Sequence, residues 1–282
     1  VNIASVLGFG VSKGTIAYAT AKAGVIQMTK ALGNELAFKG VRVNAIAPGW
    51  FVTDINRDYL SSEAGKKLTR DIPVGRFGQD GDLDGALLNA DSVGRFLTMG
   101  GEAAYLYGYE ASEVIKEQEC SSGNNMLFFR DVRGHIKKPT ATYWSARMLS
   151  HEWVEPGDQP HEIYPAVSDV LNGNRDQLIT AYATRRPDGL WAVMLINRDP
   201  TRTFQTNVVF RDTVSGSVGG FDGPLDLYQF SSKQYALGGK PDSPFPVRSD
   251  EPEHRVVQSS DPAQISLPPH SLTVIRGAIR PN

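Results

Sequence analysis

The 282-residue chain carries a single cysteine, Cys120. One cysteine excludes an internal disulfide and the multi-cysteine zinc patterns, and it fits a reducing, cytoplasmic compartment. Cys120 stands in "QECSSGNN" with no evident base beside it, so a nucleophilic role is not expected. No apolar run is long enough for a bilayer-spanning helix, and no signal-peptide apolar region is recognisable. Neither charge sign is in excess: 29 Lys and Arg stand against 31 Asp and Glu, a net charge of −2. That leaves no basic footprint for nucleic acid and no polybasic patch for a membrane surface. The histidines His135, His151, His161, His254 and His270 show no metal-ligand spacing, so no metal is expected. No internal repeat is present.

Apolar residues make up 40% of the chain, enough for a sizeable core in one large domain or two small ones. The chain opens on Val1, and Val1 to Ala4 reads as a buried strand; a domain rarely opens on its central strand, so the start is expected to be a truncation of something longer. The pattern then divides in three. Residues 1–84 alternate strand and helix. "VNIASVLGF" reads as a strand. From Ala17 to Phe38 the residues Ala21, Val25, Met28, Leu32 and Leu36 recur at helical spacing, and Gly40 stops the helix. "VRVNAIAPG" reads as a second buried strand, so a βαβ unit with parallel strands is expected.

Residues 85–154 keep α/β alternation with other residues. "GALLNADSVGRFLTMGG" predicts a helix ending at Gly100-Gly101, and "AAYLYGYE" a strand. "TATYWSARMLSHEWV" predicts a helix capped by Thr140 or Thr142. Residues 155–282 turn all-β. "LITAYATRRPDGLWAVMLINRD" predicts a hairpin around Pro-Asp-Gly, and "TFQTNVVFRD", "LDLYQFSSKQYAL" and "AQISLPPHSLTVIRGAI" add strands. Frequent turns between antiparallel strands predict a β-sandwich. "GGKPDSPFPVRSDEPEHR" reads as a polar, proline-rich loop.

The chemistry-bearing stretch is "IAYATAKAGV". Tyr18 and Lys22, four apart on a helix, share one face. A free phenol, with a pKa of about 10, is a poor base at neutral pH, and a neighbouring ammonium favours the phenolate. The pair is therefore a candidate general acid/base, with Ser5 on the preceding strand able to hold a carbonyl or alcohol oxygen. A tyrosine and a lysine at this spacing also arise by chance; the serine-ended strand before them and Pro48-Gly49 after them give the motif its context.

"VNIAS", "YATAK", "VRVNAIAPGWFVT" and "DIPVGRFGQDGDLDGALL", in this order and spacing, resemble the C-terminal half of a short-chain dehydrogenase/reductase. The resemblance covers under a third of the chain. It implies an NAD(P)-dependent oxidoreductase interconverting an alcohol and a small-molecule carbonyl. It further implies that Ser5 positions the substrate oxygen, Tyr18 exchanges the proton, and Lys22 tunes Tyr18 and grips the nicotinamide ribose. Pro48, Gly49 and Thr53 would border the nicotinamide of NAD or NADP. Members commonly pair through the helix that carries the tyrosine, which implies a homo-oligomer. The family's glycine-rich dinucleotide turn is absent: "GFGVSKG" lies between Ser5 and Tyr18, where the family has a loop. Turnover by these residues alone is therefore not expected.

"AAYLYGYE", "NNMLFFRD", "PTATYWSARMLSHEWV" and "LPPHSLTVIRG" resemble the end of a bacterial glycoside hydrolase, the last βα unit of a barrel followed by a β-sandwich. The expected fold is thus an α/β Rossmann-like fragment (1–84), a partial α/β barrel segment (85–154) and an all-β sandwich domain (155–282). Glu110 stands where a barrel carboxylate would, with an ordinary acidic loop residue as the competing reading. Trp144, Trp153 and Trp191 are candidates for stacking on sugars, with core packing as the competing reading. The alternative function is accordingly a glycosidase C-terminal region or an accessory carbohydrate-binding module. The two resemblances meet at "GALL" without a linker, which suggests a fused fragment. A third reading is a chimera without activity.

Overall fold

The computed structural model describes residues 2–39, 41, 43, 45–47, 49–50, 57–68, 83–101, 112–113, 127–130, 133, 135–173, 177–240, 243–258 and 265–279. The chain forms two compact units, Val1–Gly78 and Gln79–Asn282.

The first unit has strand β1 (Asn2–Ile3), a 3₁₀ turn (Val6–Gly8), helix α1 (Ile16–Leu36), strand β2 (Ala45–Ile46) and short helices α2 (Arg57–Ser61) and α3 (Glu63–Leu68). β1 and β2 pair in parallel, Asn2 opposite Ala45 and Ile3 opposite Ile46, so the βαβ arrangement is present. The strand expected over "VNIASVLGF" is shorter. Ser5 caps the 3₁₀ turn, its Oγ accepting from Leu7 N at 3.2 Å, and this local bond competes with strand pairing. The helix appears, but a different stripe of it is buried. Ala19, Ile26 and Thr29 are covered, while Ala21 and Met28 of the expected face are exposed. The reason is polar anchoring: Asn2 Nδ2 donates to Thr29 Oγ1 at 3.0 Å, which turns the Thr29 side of α1 toward β1. Gly40 lies outside the described residues.

The second unit opens with α4 (Leu83–Thr98). Gly100 has φ +89°, Gly101 N donates to Phe96 O at 2.8 Å and Gly100 N to Leu97 O at 3.0 Å. This double closure around a left-handed glycine ends the helix where the sequence predicted. Next come β3 (Ser112–Glu113), β4 (Phe128–Arg130), β5 (Ile136–Pro139), α5 (Ala141–Arg147) and a π-helical turn (Met148–Trp153). Thr140 is the N-cap of α5, its Oγ1 accepting from Tyr143 N. The expected strand "AAYLYGYE" lies outside the described residues.

β6 (Glu162–Tyr164), β7 (Ile179–Arg185), β8 (Trp191–Asn197), β9 (Phe204–Thr206), β10 (Phe210–Arg211), β11 (Val218–Gly219), β12 (Phe221–Phe230), β13 (Tyr235–Lys240), β14 (Ser243–Ser249), β15 (Glu253–Gln258), β16 (Ile265–Leu267) and β17 (Ser271–Ile279) follow. Six of them form one antiparallel sheet in the order β15-β12-β17-β8-β7-β6. Alternate residues of its central strands enter two cores. Ala192, Met194 and Ile196 of β8 meet Leu87, Ala90, Trp144 and Trp153 from the helices. Val193 and Leu195 enter the opposite core with Ile265 and Leu267 of the β9–β16 pair.

The proline-rich loop expected over "GGKPDSPFPVRSDEPEHR" is instead the β13–β14 ribbon and the edge strand β15. Pro246 is tolerated because the ribbon has only two strands and its register shifts beside Leu237, opposite that proline. Trp144 and Trp153 are buried, as their core reading required.

Candidate active site

The sequence trio lies on the first unit, and the fold brings two of its members together. One turn apart on α1, Lys22 Nζ stands 5.7 Å from the centroid of the Tyr18 ring. The same Nζ donates to Ile3 O at 2.9 Å, tying the ammonium to the end of β1. Tyr18 is 50% exposed, so its phenol is open to a ligand.

Ser5 is buried and follows β1 as the cap of the 3₁₀ turn rather than lying on the strand. Its Oγ accepts from Leu7 N, which leaves the hydroxyl proton available for donation. Gly49 is exposed. Pro48, Thr53, Glu110 and Cys120 lie outside the described residues.

Sequence reasoning missed Gly8 and Thr29. Gly8 N donates to Ser5 O at 2.9 Å and closes the serine turn. Thr29 Oγ1 accepts from Asn2 and donates to Val25 O at 2.7 Å. In the sequence Thr29 shows only as a threonine inside a helical run, and Gly8 only as one of the three glycines of "GFGVSKG".

The second unit holds a different polar cluster. Arg276 Nη1 donates to Glu152 Oε2 at 3.2 Å, and its Nη2 to Asp226 Oδ2 and the Tyr228 hydroxyl, each at 3.1 Å. His254 Nε2 is 2.8 Å from Asp226 Oδ1, and its ring stacks on Tyr228. Burial raises the Asp226 carboxyl, but hydrogen bonds from His254 and Arg276 outweigh it and hold the group below the ordinary range. This hydrogen-bonded network joins β12, β15, β17 and the π-helical turn. A row of rings, Tyr164, Trp191, Phe210 and Phe221, crosses one end of the sheet with centroids 4.6, 5.2 and 5.0 Å apart. Among the described residues no helix is long and apolar enough to cross a membrane.

The family described as enoyl-(acyl carrier protein) reductase matches residues 1–90. Over 83 residues the chain is 45% identical to a 3-oxoacyl-(acyl-carrier-protein) reductase of Staphylococcus aureus, covering 29% of this chain and 33% of that protein. The same enzyme of Aquifex aeolicus is 46% identical over 88 residues, 31% of this chain and 35% of the relative. The chain thus spans about a third of the length of the curated relatives it matches. Among solved structures, an α-L-arabinofuranosidase from Thermotoga maritima aligns with a TM-score of 0.47 at 11% identity, over 90% of this chain and 46% of that one. The catalytic domain of a GH30 xylanase from Talaromyces cellulolyticus aligns with a TM-score of 0.39 at 13% identity, over 70% and 35%. The N-terminal segment therefore resembles short-chain dehydrogenase/reductases, while the structural neighbours are glycoside hydrolases.

Proposed function

From the match of residues 1–90 to the reductase family, we propose that this segment carries the acid/base site of an NAD(P)-dependent oxidoreductase interconverting an alcohol and a carbonyl. The curated relatives' names make a 3-oxoacyl thioester the substrate to try first. The observation that carries the reading is the Tyr18–Lys22 pair, with the Lys22 ammonium beside an exposed phenol.

The donor set suits the nicotinamide-ribose end of the cofactor. Lys22 Nζ has three N–H donors, and Ile3 O takes one, leaving others for ribose hydroxyls. When bound, the cofactor supplies or accepts the hydride. In reduction the Tyr18 hydroxyl hands its proton to the substrate oxygen, and the Lys22 charge stabilises the negative charge left on the phenol oxygen. The Ser5 hydroxyl donates to the same substrate oxygen and orients it. Gly49, Pro48 and Thr53 are assigned to the nicotinamide border.

The test is NAD(P)H oxidation with a 3-oxoacyl thioester, by the chain alone and mixed with the N-terminal two-thirds of a curated relative. We expect turnover in the mixture, abolished by Tyr18→Phe, and none above blank from the chain alone. No turnover in either format refutes the reading.

A second reading, a carbohydrate-binding module in the second unit, is favoured by the aromatic row, in which the Tyr164 ring is exposed. Retention on a polysaccharide column, weakened in Tyr164→Ala with the fold intact, supports it; no retention on any of a broad panel removes it.

A further inference from the structure

We infer that Gly8 is a positioning residue whose missing side chain lets the turn carrying Ser5 seat on the helical turn carrying Lys22, fixing the spacing of Ser5, Tyr18 and Lys22. The inference rests on the reductase reading of that trio.

Gly8 N closes the Ser5 turn on Ser5 O. A Cβ built on Gly8 would stand 2.8 Å from Lys22 C, 2.9 Å from Lys22 O and 2.6 Å from Ile26 Cδ1. The tip of Ile26 can swing aside. The helical backbone at Lys22 cannot, so any side chain at position 8 must push the serine turn off α1. The obstacle is space alone, because Gly8 is not among the glycines with positive φ.

Lys22 is thereby held from two sides by the same segment. Its backbone abuts Gly8, and its Nζ is bonded to Ile3 O. The neighbouring Gly10 is different: its nearest contact would be Val6 O at 3.8 Å, an ordinary distance. Gly8 therefore couples the residue assigned to the substrate oxygen to the pair assigned to the proton.

The test uses the full chain carrying Gly8→Ala, Gly8→Val or, as control, Gly10→Ala. Limiting N-hydroxysuccinimidyl acetate with peptide mapping reads the reactivity of Lys22 against Lys30 on the same helix. Amide exchange reads the Ser5–Gly8 turn. We expect Gly8→Val to raise Lys22 acetylation severalfold and to speed exchange in the turn, with Gly8→Ala intermediate and Lys30 and Gly10→Ala unchanged.

In the mixed-fragment assay, Gly8→Val lowers kcat by about 10²-fold with KM unchanged, as misplacement of reacting groups by about 1 Å does. The loss does not add to that of Ser5→Ala. An unchanged Lys22, a rise shared equally by Lys30, or additive losses would overturn the inference. If wild type shows no Tyr18-dependent turnover, the reductase reading alone falls, and the labelling still decides whether Gly8 sets the position of Lys22.

Discussion

The Tyr182 hydroxyl donates to Asp91 Oδ1 at 2.7 Å, joining β7 to α4 inside the second unit. Arg95 Nε holds the other carboxylate oxygen at 3.1 Å, and the Tyr182 ring lies over Gly94, where a Cβ would stand 2.5 Å from it. Residues of α4 as far as Ala90 fall within the reductase-family match, yet Leu83, Ala86, Leu87 and Ala90 are core residues of the second unit. The family match thus ends inside a helix whose core contacts lie in the second unit.

Tyr182→Phe removes a buried hydrogen bond to a charged group and should destabilise the second unit by about 2 kcal/mol in urea unfolding. Gly94→Leu should cost more, because the Tyr182 ring must leave its seat. Burial, the hydrogen bond and the charge of Asp91 all push the Tyr182 phenol well up. The unfolded phenol ionises first, so wild-type stability falls as pH rises past about 10, and Tyr182→Phe should flatten that limb.

Asp199 predicts the acid limb. Its carboxylate accepts from Thr201 N, Thr201 Oγ1, Arg202 N and Arg202 Nε. Burial raises the group, but these bonds outweigh it and take its pKa down to about 2 from 3.8. The stabilisation is present above the unfolded pKa and is lost as pH falls toward the folded value. Thermal melts between pH 7 and pH 2 should show Asp199→Asn about 1 kcal/mol weaker near neutrality and less acid-sensitive. Parallel curves would refute the assignment.

Arg186 is buried, and its Nη1 donates to the carbonyls of Glu152 and Val154, both at 2.9 Å, where the π-helical turn ends. Its Nη2 reaches Asp188 Oδ2 at 2.8 Å. Burial raises Asp188, but Arg186 and the Leu190 N–H outweigh it and hold the carboxyl below the usual range. Arg186→Gln removes the charged donor to the Glu152 and Val154 carbonyls and to Asp188 and should cost about 2 kcal/mol. Arg186→Lys should recover only part, since an ammonium cannot span carbonyls and carboxylate together. Equal stability of wild type and Arg186→Gln would be the contrary result.

Trp191 makes edge contact with Phe210 and a tilted contact with Tyr164. Trp191→Ala should destabilise the second unit by about 2–3 kcal/mol. If the row also binds sugar, Tyr164→Ala should weaken polysaccharide retention with a smaller loss of stability, because Tyr164 is the exposed ring.

Local rules read from sequence gave the parallel βαβ order, the stop of α4 at Gly100 and the hairpin of β7 and β8, and narrowed the cap of α5 to Thr140 or Thr142, of which the structure uses Thr140. Each depends on residues within a few positions of one another or on a period of 3.6 or 2. The Tyr18–Lys22 pair was legible for the same reason, since four residues along a helix is a spatial neighbour by geometry alone. Which stripe of α1 is buried was decided by Asn2 reaching Thr29, a pair 27 residues apart. Among the described residues no third strand pairs with the β13–β14 ribbon, so the prolines of β14 interrupt no further ladder. Gly8 gained its meaning only when α1 was folded back against the serine turn. The unit to which α4 attaches was settled by Tyr182, 91 residues beyond Asp91. A helix's periodicity shows that it has an apolar face; only the surface it meets decides what that face joins.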